Sequence, residues 1–253
     1  MKPILPILTE EDHARYEWQM SVHGVGKEGQ RRLKGASVLI SRVGGVGGVV
    51  AYELAAAGVG RLILAHAGNV KPGDLNRQIL MTHDWVGKPR VESAARRLRE
   101  LNPHIEIVPI PENINEKNAA EILGQADVVV DCAPLFQERF ALNRAAVIQK
   151  KALIECAMYE FEGHLTTIIP GETGCLNCLY PDFPDYWKRQ FPVFGAVAGC
   201  MGCMGAVEVI KYICGIESDL RDKLLVADLK AMTFRRLRSQ RLPSCPVCSH
   251  LNP

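Results

Sequence analysis

Apolar positions along the chain fall into short runs and helical stripes that alternate. Residues 9–20 and 27–34 carry apolar side chains at helical spacing between charged ones. Thr9 followed by Glu10, Glu11 and Asp12 is a good helix start, with negative charge at the positive end of the dipole. The run Ser-Val-Leu-Ile-Ser over 37–41 enters a glycine-rich turn at 43–48. An alanine-rich helix that ends at Gly58 and a strand over 61–65 follow. Strand, glycine turn, helix and strand make a βαβ unit with parallel strands. The alternation continues with a helix over 89–101, closed by Asn102-Pro103, a strand over 105–110 and a helix over 116–123. A strand over 126–131, built on three valines and ending in an acid, leads to a helix over 137–150. This pattern predicts a doubly wound α/β sheet.

Beyond residue 151 the style changes. Stretches 152–158 and 164–169 read as strands, 170–192 as a proline- and aromatic-rich crossover loop, and 223–229 and 233–237 as a final strand pair. No repeat, low-complexity tract or flexible linker separates the halves. We therefore expect one domain over 1–253: N-terminal helices (1–36), a Rossmann-like half (37–150) and an extension of the same mostly parallel sheet (151–253). The stretch 191–207 has no charge but is slightly short for a bilayer span. It contains Pro192, and Gly195, Gly199, Gly202 and Gly205 recur at steps of four, three and three. Glycines so spaced share a helix face and admit a close backbone, which predicts a buried helix rather than a membrane span.

Composition narrows the function classes. Hydrophobic residues are 47% of the chain and charged ones 23%, with 30 basic against 28 acidic side chains and a net charge of +2. Disorder needs low hydrophobicity and unbalanced charge, so it is excluded. The balance also argues against a nucleic-acid binder that works through a whole-domain positive field. The first ten residues hold one lysine, two prolines and no sustained apolar run, unlike a signal peptide, so a cytoplasmic protein is expected.

In a cytoplasm the nine cysteines would be reduced thiols, so metal ligation or packing comes before disulfides. Cys175-Leu176-Asn177-Cys178 and Cys245-Pro246-Val247-Cys248 are two Cys-x-x-Cys pairs at loop positions. Four thiolates suit tetrahedral zinc with no open position, hence a structural site; two independent dithiols are the other reading. Cys200 and Cys203 share the spacing but lie inside the expected buried helix, where packing is the simpler role. Cys132, Cys156 and Cys214 have no base at hand in the sequence.

A dinucleotide site needs Gly-x-Gly-x-x-Gly after the first strand and an acid about twenty residues on. Here the run is Arg42-Val43-Gly44-Gly45-Val46-Gly47, and His66 stands where the acid belongs. An NAD-linked reading loses its two diagnostic residues.

Other motifs point elsewhere: Arg15-Tyr16, Ala57-Gly58-Val59-Gly60, Asn76-Arg77-Gln78, Gly87-Lys88-Pro89-Arg90-Val91-Glu92 and Leu101-Asn102-Pro103-His104. With Val130-Asp131-Cys132, both cysteine pairs and Ala206-Val207-Glu208-Val209-Ile210-Lys211, they make the chain resemble, over nearly its whole length, the ThiF/MoeB/HesA proteins, relatives of the ubiquitin-activating enzymes. That resemblance implies a homodimer with structural zinc that uses Mg-ATP to adenylate the C-terminus of a ubiquitin-like or sulfur-carrier protein.

The sequence also departs from the family pattern. Arg42 replaces the first loop glycine, His66 the ribose-binding aspartate, Trp18 the arginine given to the neighbouring subunit, and Asp74 the asparagine ahead of Arg77 and Gln78. Arg90 replaces the phosphate-binding lysine, and the magnesium-binding aspartate falls on Pro134, leaving Asp131. The sulfur-accepting cysteine has no counterpart, the nearest position being about Lys188. Losing one positioned charge group typically costs roughly 10²–10³ in rate, so we expect the family's Mg-ATP chemistry to be lost.

Arg42, Gly44, Gly45, Gly47, His66, Arg77, Gln78, Arg90 and Asp131 then line a former nucleotide pocket, and Cys175, Cys178, Cys245 and Cys248 hold zinc. The uncancelled guanidiniums need an anion, either an external carboxylate, phosphate or carrier C-terminus, or an internal partner such as Asp131 or Glu53. Three functions follow. The first is a carrier- or anion-handling protein without Mg-ATP, working as a homodimer or with an active paralogue. The second is an adenylyltransferase with a rebuilt site, and the third a dithiol oxidoreductase. The basic run Arg235-Arg236-Leu237-Arg238 with Arg241 is expected to be a solvated strand face.

Overall fold

A computed structural model of the chain describes residues 5–182, 184 and 190–251; Lys188 lies outside the described residues. The elements run α1 (Glu10–Met20), α2 (Gly26–Gly35), β1 (Ser37–Ser41), α3 (Gly45–Ala56), β2 (Arg61–Ala65), α4 (Arg90–Leu101), β3 (Glu106–Ile110) and α5 (Ala119–Gly124). They continue with β4 (Val128–Asp131), α6 (Phe136–Gln149), β5 (Ala152–Tyr159), β6 (Glu162–Ile168), α7 (Leu176–Leu179), α8 (Gly195–Cys214), β7 (Lys223–Asp228) and β8 (Thr233–Arg238). The strands form one sheet in the order β3-β2-β1-β4-β5-β6-β7-β8. Pairing is parallel from β3 to β5 and antiparallel from β5 to β8, so the second half does extend the first sheet.

Local chemistry accounts for most boundaries. Thr9 Oγ1 accepts from the Asp12 N–H (3.1 Å) while the Thr9 N–H donates to Asp12 (2.8 Å), a reciprocal cap that starts α1. β1, β2 and β4 read as continuous Val/Ile/Leu because helices cover both faces. One core packs the sheet against α3, α4 and α8, the other against α5 and α6. Helix α5 begins at Ala119, later than the pattern predicts, because Asn115 and Asn118 exchange turn hydrogen bonds ahead of it.

Helix α8 confirms the buried glycine helix and runs past residue 207 to Cys214. Glu208 makes that possible: inside the fold it accepts from Thr167 (3.0 Å), Ser218 and Lys211 (2.6 Å). The helix is long and apolar enough to cross a membrane, but half of its apolar window is buried inside the protein. A Cβ on Gly202 would lie 2.6 Å from Val49 Cβ and 2.7 Å from Val46 O, so the glycine lets α3 and α8 touch. Gly199 faces open space, so the stripe is not one uniform contact.

The expectation that Cys200 and Cys203 pack in the core is corrected. Cys203 is exposed and Cys200 half-buried, while Met201 and Gly202 between them are buried. Residues two positions apart on a helix do not share a face, and the glycine contact decides which face turns inward.

Candidate functional site

The sheet changes direction of winding at β1, which has β2 on one side and β4 on the other. Ligands of such sheets bind beyond the carboxyl ends of the strands at that switch point. A cavity of about 860 Å³ opens there. Arg42, Gly44, Gly45, His66, Arg77, Gln78 and Arg90 line it, so the structure brings most of the residues singled out from sequence together. Gly47 lies behind the lining, where a Cβ would meet Arg42 O at 2.4 Å. Asp131 lies beneath it, buried.

Arg42 occupies the bend between β1 and α3 at φ 64°, the left-handed region in which glycine is at ease. Its guanidinium forms a two-pronged pair with Glu138 in the first turn of α6, through Nε to Oε2 at 2.6 Å and Nη2 to Oε1, with both side chains nearly buried. The internal partner is therefore Glu138, not Asp131 or Glu53. The sequence could not show it, because the two residues stand 96 positions apart. An acid in the first turn of a helix was the only available signal.

The other replacements pair in the same way. Arg90 donates to Asp74 Oδ2 from Nε (3.0 Å) and Nη2 (2.7 Å), so two departures from the family pattern hold each other. Gln78 Nε2 donates to Asp74 Oδ1 (2.9 Å), and the Lys71 N–H donates to Oδ2 (2.9 Å). Arg139 Nη1 donates to Glu155 Oε1 at 2.7 Å. Of the two alternatives, an internal partner is present for Arg42, and Arg90 has one as well. Arg77 is the looser one, 3.7 Å from Asp74 Oδ1 with its side chain a quarter exposed.

His66 is buried against the glycine turn. Burial, with Arg42 and Arg90 nearby, holds its imidazole down at about 3, so it is neutral. Among the described residues its Nδ1 and Gln78 Oε1 find no hydrogen-bond partner, and both side chains approach Gly44. At the far end of the cavity His164 lies 3.0 Å from Glu162 Oε1 and 3.4 Å from Tyr180 Oη, a cluster the sequence did not reveal. The thiols of Cys132 and Cys156 are pushed up by burial, and Cys156 Sγ donates to Met201 O, so neither is a ready nucleophile.

The cavity wall differs from the family's magnesium-ATP pattern at the metal position. Pro134 stands on the cavity wall where a metal-binding acid is expected. Of the cavity-lining carboxylates, Asp74 is engaged by Arg90, Gln78 and Lys71, and Glu162 by His164.

The cysteine pairs do converge. The sulfurs of Cys175, Cys178, Cys245 and Cys248 all lie within 4.8 Å of one another and are buried. Cys175 and Cys245 are 3.7 Å apart, and Cys178 and Cys248 3.5 Å. Tetrahedral zinc with bonds of 2.3 Å would set its sulfurs about 3.8 Å apart, so the donor set fits that ion. Asn143 on α6 anchors the first pair through the Leu176 N–H (3.0 Å) and Asn177 (3.0 Å).

The ThiF family model matches residues 16–247. Protein HesA, vegetative, of Trichormus variabilis is 46% identical over 241 residues, covering 95% of this chain and 91% of that protein. The sulfur carrier protein adenylyltransferase of Thermus thermophilus is 38% identical over 249 residues, covering 95% and 92%. The crystal structure of Escherichia coli MccB with ATP superposes with a TM-score of 0.80 at 25% identity, over 93% of this chain and 73% of that one.

Proposed function

The chain belongs to the ThiF family, and on that footing we propose that it handles the C-terminus of a ubiquitin-like or sulfur-carrier protein, or a small anion, without the family's Mg-ATP adenylation. The observation that carries this reading is the buried Arg42–Glu138 pair, which sets a long, internally paired side chain at the βα bend where the family pattern has glycine. Arg77 and the N-terminus of α3 remain to receive a carboxylate or similar anion. The buried cysteine cluster supports structural zinc, tying the crossover loop to the C-terminal segment. We further propose a cytoplasmic homodimer: Trp18, 88% exposed on α1, and Phe194 and Val207 at and on α8 are large apolar groups that a second copy would cover.

A specific observation favours a second reading, an adenylyltransferase with a rebuilt site. The unpartnered His66 Nδ1 and Gln78 Oε1 beside Gly44 suit the hydroxyls of a nucleoside. Thermal shifts with sulfate, acetate and Mg-ATP separate the two, since a ligand raises Tm only by binding the folded state. A rise with the simple anions and none with Mg-ATP supports the first reading. Pyrophosphate exchange dependent on ATP and on a carrier ending in Gly-Gly supports the second and overturns the first.

A further inference from the structure

Asp131 and Glu155 stand side by side on the parallel strands β4 and β5, paired in register at the carboxyl end of the sheet. Both are wholly buried. Each has one oxygen accounted for. Asp131 Oδ1 accepts from Ser41 Oγ (3.2 Å) and the Ala133 N–H (2.9 Å), and Glu155 Oε1 accepts from Arg139 Nη1 (2.7 Å). Among the described residues the other oxygens, Asp131 Oδ2 and Glu155 Oε2, find no hydrogen-bond partner, and both are shielded from solvent. Register neighbours in a parallel sheet lie about 4.8 Å apart with side chains on the same face, so the two carboxyl groups face a common space.

The local charge does not balance. Two carboxylates share Arg139, whose Nε is already given to Ala133 O. Among the groups that face them, Glu138 on α6 is a further acid, committed to Arg42. Cys132 just after β4 and Cys156 on β5 are thiols that burial keeps protonated, and Cys200 on α8 faces Cys156. Tyr180 behind α7 faces Arg139. Burial lowers the pKa of His164 on β6, with Glu162 opposing. Among the described residues none of these groups supplies a second positive charge, and an unmatched buried anion costs several kcal/mol.

We propose that Asp131 and Glu155 share one proton between their two unpartnered oxygens, a buried acid pair whose single negative charge matches Arg139, and that an anion entering the cavity draws this proton in more tightly. The link is spatial. Cys132, Ala133, Arg139 and Cys156, the chain neighbours and partner of the pair, form the cavity floor. An anion above that floor competes for Arg139 and raises the proton affinity of the carboxyls below. This second half rests on the anion-binding reading given above. Burial agrees with the first half: it raises Asp131 above the usual carboxylate range and pushes Glu155 up to about 7, Arg139 opposing in each case.

Infrared difference spectroscopy of the whole protein at about pH 6 tests the pair without any ligand. We expect the carbonyl stretch of an un-ionised acid, absent from exposed carboxylates at that pH, to titrate away toward pH 8 and to vanish in Glu155→Gln and Asp131→Asn. Absence of the band in the wild type, or its persistence in both variants, overturns the pair; the wild-type titration decides even if a variant misfolds. For the link, calorimetry with sodium sulfate in two buffers of different ionisation enthalpy should show uptake of part of a proton near pH 7. Sulfate affinity should fall as pH rises, by less than tenfold per unit, the limit for one proton. Binding without uptake overturns the link alone. Absence of sulfate binding overturns it together with the anion reading, while the infrared band still decides the pair.

Discussion

Arg42 shows how a single side chain can hold a backbone conformation it disfavours. A non-glycine residue in the left-handed region costs roughly 1–2 kcal/mol, and the buried pair with Glu138 offsets that cost. Arg42→Gly relieves the bend but leaves Glu138 buried and alone. Breaking such a pair typically costs 3–5 kcal/mol, so we expect net destabilisation of about 2 kcal/mol or more in urea unfolding. Arg42→Gly with Glu138→Gln should recover most of it. An additive double mutant would show that the pair contributes nothing beyond its parts. His66 gives a pH signature. Its folded pKa, about 3, lies below its ordinary 6.5, so in acid the unfolded chain takes the proton first. Stability is fully present above about pH 6.5 and falls as pH drops toward 3, with a slope approaching about 1.4 kcal/mol per pH unit. His66→Gln should remove that slope from the pH dependence of Tm between about 4 and 6.

Among elements, what the sequence made legible was whatever depends on near neighbours. Three consecutive valines mark β4 because a strand covered on both faces needs no alternation, and Thr9 with Asp12 marks the start of α1 because a cap reaches only three residues. Cysteine spacing marked both halves of the cysteine cluster because each pair is local in sequence, although their meeting depends on the fold. The Arg42–Glu138, Arg90–Asp74 and Arg139–Glu155 pairs were not legible, since each joins different elements and any acid could have served. Nor was the inward face of α8, which depends on where α3 touches it. That contact gives a paired prediction. Gly202→Ala drives a methyl into Val49 and Val46 O, and overpacking of this kind costs typically 1–3 kcal/mol. Gly199→Ala meets open space and gains helix propensity, so it should be neutral or stabilising by about 0.5–1 kcal/mol. Thermal unfolding of the two variants checks the contrast, and equal effects would contradict the packing described here.

For the whole molecule, the cysteine cluster joins parts that the chain brings together late. Cys175 caps the short helix α7 and Cys178 lies in it, anchored to α6, whereas Cys245 and Cys248 follow the exposed edge strand β8. Residues 239–251 form no helix or strand, so their place depends on those sulfurs and on Arg241, which donates to the Cys248 and Leu251 carbonyls. Tyr180, on the cavity wall, follows α7 directly and donates its N–H to Leu176 O (2.9 Å). Metal binding at the cluster therefore bears on the cavity as well as on stability. We expect about one zinc per chain by elemental analysis. Removing it with a chelator, or through Cys248→Ser, should release the C-terminal segment to proteolysis and lower Tm, while the parallel half from β3 to β5 keeps its far-ultraviolet circular dichroism. The sulfate-induced rise in Tm should shrink in the same variant, because the wall carrying Tyr180 has lost its anchor. A metal-free protein with unchanged Tm, protease resistance and sulfate response would show instead that the thiols hold the two segments together unaided.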